Sequence, residues 1–124
     1  MPISIQLEDE RRRMIATATG VVSLEQLVTF IRTQRVGARQ AYALLFDMRV
    51  ATVAFTGDEI RQLADEVGAR HKRGERRAPV AIVTEGDLAF GLGRMYESLV
   101  ESEGVNYIGV FRSLEEADAF LASS

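Results

Sequence analysis

Ile3, Ile5 and Leu7 alternate with Ser4, Gln6 and Glu8, the two-residue period of a strand with one buried face. The charged stretch from Glu8 to Arg12 turns the chain, and Met14 to Thr19 returns as the second strand of a hairpin that Gly20 ends. Ser23 stands three residues before Gln26, the spacing of a capping box that opens a helix. Leu24, Leu27, Val28 and Ile31 share one face of that helix, and Gly37 stops it. The apolar run from Ala41 to Phe46 predicts a short central strand that ends at Asp47.

Thr56 and Glu59 make a second capping box, followed by a helix whose core face is Ile60, Leu63, Ala64 and Val67. Pro79 to Val83 is a further buried strand with its proline at the permitted first position. Asp87 to about Ser102 is helical, with Leu88, Leu92, Met95, Tyr96 and Leu99 on one side. Asn106 to Phe111 is the last strand, and Ser113 with Glu116 caps a terminal helix. The element order is ββαβαβαβα. Strands joined through helices are parallel and helix-covered, while the hairpin adds an antiparallel strand at one edge. The expectation is one α/β domain over residues 1–124, a mixed sheet of about five strands with helices packed on it.

Composition narrows the function classes. At 124 residues with 47% hydrophobic and 27% charged residues, the chain is built to fold around a core. A net charge of −3 gives no general attraction to nucleic acid or anionic membrane. With no cysteine, disulfides, thiolate catalysis and cysteine-based metal sites are excluded. The start of the chain lacks the basic and apolar regions of a signal peptide, and no apolar run approaches the ~20 residues needed to span a bilayer. The expected setting is cytoplasmic, with no membrane insertion and no cofactor.

Few residues offer chemistry. Asp47 lies at the carboxyl end of a predicted strand, where open α/β sheets place ligands, yet an aspartate there also satisfies backbone N–H groups of the next loop. Asp58 is the nearest carboxylate for an acid–base pair, and its place in a first helical turn is explained by the helix dipole alone. The Thr56 hydroxyl could accept a phosphate at a helix N-terminus, but it is already required as the cap of Glu59. His71 is the one histidine, and with no second histidine or cysteine it makes no zinc site. Arg70, Lys72, Arg73, Arg76 and Arg77 form a dense basic stretch without the interleaved aromatics that stack bases. A solvated helix end explains it. Phe90 falls opposite the apolar stripe of its helix, among Arg94, Glu97 and Glu101, as an interface anchor would. Gly91 and Gly93 each cost that helix up to ~1 kcal/mol, which invites close approach of another backbone or a partner. No nucleophile is paired with a base, so no enzyme is expected.

The block from Val80 to Glu97, Val-Ala-Ile-Val-Thr-Glu-Gly-Asp-Leu-Ala-Phe-Gly-Leu-Gly-Arg-Met-Tyr-Glu, with Val110-Phe-Arg-Ser-Leu-Glu-Glu-Ala117, resembles the SpoIIAA-like family. These are small bacterial domains akin to STAS domains, the fold of anti-sigma-factor antagonists. The resemblance implies a STAS-like α/β fold. In the antagonists an Asp-Ser-Ser-Gly motif between strand and helix carries the phosphorylated serine. Aligning the strand-end aspartate on Asp47 places Phe55, Thr56, Gly57 and Asp58 on that motif. The phosphoacceptor position falls on Gly57, so the resemblance implies no intact phosphoserine switch. Some members of the wider grouping are likened to CRAL-TRIO-type lipid carriers, which implies a pocket for an apolar ligand.

Two readings follow. The first is a non-enzymatic module that binds a protein partner, or itself as a homodimer, with Asp47, Arg49, Thr56, Asp58, Phe90, Gly91 and Arg94 as candidate contacts. The second is a carrier with a mostly apolar pocket of at least ~300 Å³ between sheet and helices.

Overall fold

The computed structural model describes residues 2–75 and 78–123. Strands β1 (Ile3–Glu8) and β2 (Arg13–Val22) precede helix α1 (Leu24–Gln34). Strand β3 (Ala43–Val53), α2 (Gly57–Lys72), β4 (Val80–Val83), α3 (Asp87–Ser102), β5 (Ile108–Phe111) and α4 (Leu114–Ala122) follow. The order is the one that the pattern predicts. The five strands lie in the order β1-β2-β3-β4-β5, with β1 antiparallel to β2 and every other pair parallel.

Residue alternation sorts the core into two layers. Met14, Ala16 and Ala18 of β2, Leu44, Phe46 and Met48 of β3, and Val80 of β4 pack against Leu27 and Phe30 of α1, Ile60 to Val67 of α2, and Tyr96 and Val100 of α3. The intervening residues Leu45, Ala81 and Val83 meet Ala117 and Leu121 of α4 on the opposite face. Three crossovers that each step one strand in the same direction and the same hand place α1, α2 and α3 on one face. Helix α4 is left to cover the other. The Ser23–Gln26 and Thr56–Glu59 capping boxes both close in full. At the third helix start, Ser113 accepts the Glu116 N–H at 3.2 Å.

Three expectations are corrected. Gly20 does not end β2, nor Asp47 β3. Beyond Thr17↔Asp47 the ladder steps over a bulge and resumes from Thr19↔Val50 to Val22↔Val53. Gly20 sits inside the strand at φ 68°, a left-handed conformation that costs glycine nothing. The third correction is Leu88, which is 73% exposed rather than part of the core stripe. It lies in the first turn of α3, beyond the carboxyl end of β4, where no sheet lies beneath it.

The two helical glycines of α3 separate cleanly. A Cβ on Gly93 would stand 2.7 Å from Val110 Cγ1, whereas one on Gly91 meets nothing within 4 Å. Close approach to β5 therefore explains Gly93 and leaves Gly91 without an intramolecular reason. We expect Gly91→Ala to stabilise the chain by about 0.5–1 kcal/mol through helix propensity. Gly93→Ala loses about 1 kcal/mol net, because overpacking outweighs the same propensity gain. Urea unfolding of the two variants checks this, and equal stabilities would contradict the packing.

Candidate functional site

Strands β2 and β3 outrun their neighbours. Pairing of β1 with β2 stops at Ile3↔Ala18, with one more bond from Thr19 N–H to the Pro2 carbonyl at 2.7 Å. Pairing of β4 with β3 stops at Asp47↔Val83. From there to Val22 and Val53 the two strands continue as a ribbon to which no further strand is added among the described residues. Its inner side carries Ala51, Val22 and Val53, which join the main core. Its outer side, where α4 does not reach, carries Val21 at 68% and Val50 at 66% exposure, with Thr19 and Thr52 also exposed.

At the base of the ribbon, Asp47 and Arg49 form a forked pair. Asp47 Oδ1 accepts the Arg49 backbone N–H at 3.1 Å and Nε–H at 3.0 Å, while Oδ2 accepts Nη2–H at 3.0 Å. The side-chain hydrogen bond from Arg49 holds the Asp47 carboxyl below its ordinary range, against the opposing effect of partial burial. A carboxylate so committed is a poor general base. The backbone bond is the satisfaction expected of a strand-end aspartate, here made inside the strand at the bulge. Asp58 lies apart from this pair and bonds Arg61 at 3.1 Å, so no carboxylate pair forms at the junction.

Thr56 is the N-cap of α2. Its Oγ1 accepts the Glu59 N–H at 3.1 Å, and Glu59 Oε1 accepts the Thr56 N–H at 3.0 Å. Phe90 is half-buried, with the Arg112 guanidinium carbon 4.1 Å from its ring centroid, within cation–π range. Arg112 also bonds Asp87 at 2.9 Å. Arg94 pairs with Glu97 at 3.0 Å, and Glu97 accepts the Val110 N–H of β5 at 3.2 Å. The polar face of α3 thus lies along the β5 edge, so much of the Phe90 neighbourhood is used within the chain. The structure does not bring Phe90 and Arg94 into contact with Asp47, Arg49, Thr56 or Asp58; each group keeps its own partners.

Two cations of the basic stretch have acidic partners. Arg70 pairs with Glu66 at 3.5 Å and Glu75 at 2.9 Å, and Lys72 with Glu103 at 2.6 Å. Arg73 is exposed, while Arg76 and Arg77 lie outside the described residues. The His71 ring packs beside Tyr107 at 6.0 Å between centroids. Among the described residues no group of three or more histidines, cysteines or carboxylates could hold a metal ion.

Two hollows are present, of which the carrier reading expects only the first, and expects it larger. One is a cavity of about 110 Å³ within the main core, between β3, β4 and helices α1 to α3. The other is a groove of about 380 Å³ between β1 and α1, where Ser23, Glu25, Gln26, Thr29, Thr33 and Gln34 outnumber the four apolar residues. The run Val50-Ala-Thr-Val53 carried a readable strand signal for the ribbon. The cavity left none, because a packing deficit has no local signature.

Comparison with known proteins matches this geometry at the level of fold. No family model matches the chain, and no curated protein matches it. Among solved structures, an uncharacterized protein of the DUF3478 family from Shewanella loihica PV-4 with a SpoIIAA-like fold is similar at a TM-score of 0.56 and 17% identity. The similarity covers 96% of this chain and 91% of that one. The chain has a SpoIIAA-like fold. The SpoIIAA-like sheet here is the mixed five-stranded one expected from the sequence, and no helix among the described residues is long and apolar enough to cross a membrane.

The Asp47–Arg49 fork makes stability depend on acid. A carboxyl whose folded pKa is depressed contributes stability that is fully present above its unfolded value near pH ~4 and is lost as pH falls through the folded value. Asp47→Asn is expected to cost about 1 kcal/mol at pH 7 and to leave a smaller difference from the native chain at pH 2. Urea titrations at both values check this, and an undiminished difference in acid would contradict it.

Proposed function

We propose that this SpoIIAA-like chain is a non-enzymatic binding module that engages protein, another chain or a second copy, through the β2/β3 ribbon. The observation that carries the reading is the pair Val21 and Val50, two-thirds exposed on a ribbon whose two long edges receive no further strand among the described residues. Unpaired edges of β-branched residues take up an extended segment by strand addition, with main-chain hydrogen bonds giving affinity and flanking side chains giving specificity. Asp47 and Arg49 stand at the root of the ribbon, and Thr56 and Asp58 follow it. These four are the contacts that an added segment would reach first. Phe90, Gly91 and Arg94 belong to a secondary region, of which Gly91 is the open part.

Catalysis plays no part in this reading, since Asp47 is held by Arg49 and Thr56 by its cap. A carrier of drug-sized or lipid-like molecules is less well supported. The core cavity is about 110 Å³ against the ~300 Å³ such a ligand needs, and the larger groove is lined by six polar residues beside four apolar ones. A phosphoserine switch is likewise unsupported, because Gly57 stands at the acceptor position.

Val21→Lys combined with Val50→Lys should leave the unfolding midpoint within a few degrees, since both side chains face solvent. The double variant should lose the protein that copurifies with the native chain from its own cells, or its dimer by light scattering. An unchanged set of associated proteins and an unchanged mass would contradict the reading.

A further inference from the structure

We infer that the chain pairs with a second copy of itself through the open edge of β1, the two strands running antiparallel about a twofold axis at Ile5. β1 is an outer strand of the sheet, with no strand beyond it among the described residues. Helix α4 packs over β3, β4 and β5, and the groove between β1 and α1 leaves the helical side of the edge clear for an incoming strand. The opposite edge of the sheet differs, because Glu97 of α3 accepts the Val110 N–H of β5 at 3.2 Å. β1 has none of the usual protections of an edge. It is six residues long, pairs with β2 without a bulge, and carries no lysine or arginine.

Backbone and side chains select the same register. The Pro2 carbonyl accepts the Thr19 N–H, so Pro2, Ser4, Gln6 and Glu8 turn their backbone groups toward β2. Ile3, Ile5 and Leu7 therefore present theirs to the open edge. The same three side chains lie on the helical face, in register with Ala18, Ala16 and Met14. Ile3 and Leu7 pack against the main core, but Ile5 stays 37% exposed and lines the groove. With Ile5 opposite Ile5 of the second copy, each Ile3 faces a Leu7, and each Ser4 faces a Gln6 on the other face. Every outward backbone group then pairs, giving about six main-chain hydrogen bonds, and each apolar side chain stands beside another. A one-residue shift would set Ile5 against Gln6 and mix the two faces. Charge agrees with the register. Glu8, the one charged residue of β1, falls opposite Pro2. Glu25 opens α1, so the twofold sets the two Glu25 carboxylates at opposite ends of the seam. The interface is isologous, and it leaves Val21 and Val50 of the ribbon uncovered.

Sedimentation velocity of the full chain at submillimolar concentration should give a mass near twice 13.7 kDa. Ile5→Lys places two ammonium groups at the axis and should halve that mass, with the far-ultraviolet circular dichroism unchanged. Val21→Lys combined with Val50→Lys should leave the dimer intact, which separates this edge from the ribbon. The chain has no cysteine, so Ile5→Cys under mild oxidation should yield a disulfide-linked dimer, whereas Glu8→Cys, far from the axis, should not. The proposal is overturned if the native chain sediments as a monomer, or if folded Ile5→Lys remains dimeric. It is equally overturned if the ribbon variant is the one that dissociates, or if Glu8→Cys cross-links as readily as Ile5→Cys.

Discussion

The parallel ladder between β2 and β3 is the constraint on which the rest of this structure depends. Both strands are buried on the helical face through Met14, Ala16, Ala18, Leu44 and Phe46, so their register fixes which residues can meet α1, α2 and α3. Small residues on β2 let the helices sit close to the sheet, and Phe30 packs edge-on against Phe46 at 5.1 Å between ring centroids. A one-residue slip would turn every one of these side chains to the opposite face. The bulge between Thr17 and Thr19 is therefore a device that lets the ladder continue, with altered direction, after the neighbouring strands have stopped.

That continuation links architecture to surface. Where β1 and β4 cease, backbone groups along two edges lose strand partners, and the outer face loses the cover of α4. Folding tolerates this because the inner face of the ribbon is still anchored by Val22 and Val53 in the main core. Natural proteins usually protect such edges with charge, bulges or covering elements. Here a bulge and the forked Asp47–Arg49 pair sit at the root, while Val21 and Val50 remain uncovered beyond it. The cavity lies directly beneath, with Val53 and Phe55 shared between its wall and the strand end. Cavity and ribbon are thus neighbours built from the same strand.

What was legible in the sequence was mostly local. The Ser23–Gln26 and Thr56–Glu59 boxes and the Ser113 cap fix three helix starts within three residues each, and the structure holds all three. Strand periodicity and the helix-linked order gave the mixed sheet. The miss at β3 arose because Asp47 and Arg49 look like the end of a buried strand when burial on both faces is assumed. The β-branched run to Val53 is a local strand signal, and the pairing with Thr19 to Val22, some thirty residues away, shows that it belongs to the same strand. Phe90 was legible as the odd residue of its helix, but Arg112 from β5's far end partly covers it, and helical periodicity says nothing of another strand. Leu88 failed for a related reason, since a stripe does not reveal where the sheet beneath it stops. Thr84 reads as an ordinary strand-end residue, and only three-dimensional packing shows that its hydroxyl is buried without a hydrogen-bond partner.

The central claim is that the uncovered ribbon is a protein-binding surface. The most direct measurement is in-cell photo-crosslinking with a benzophenone amino acid at position 50, compared with the same probe at Glu115 on exposed α4, with adducts identified by mass spectrometry. We expect a defined protein adduct at position 50, either a second copy or one other chain, that is absent at position 115 and disappears with Val21→Lys. Equal and diffuse labelling at the two positions, unaffected by Val21→Lys, would contradict it.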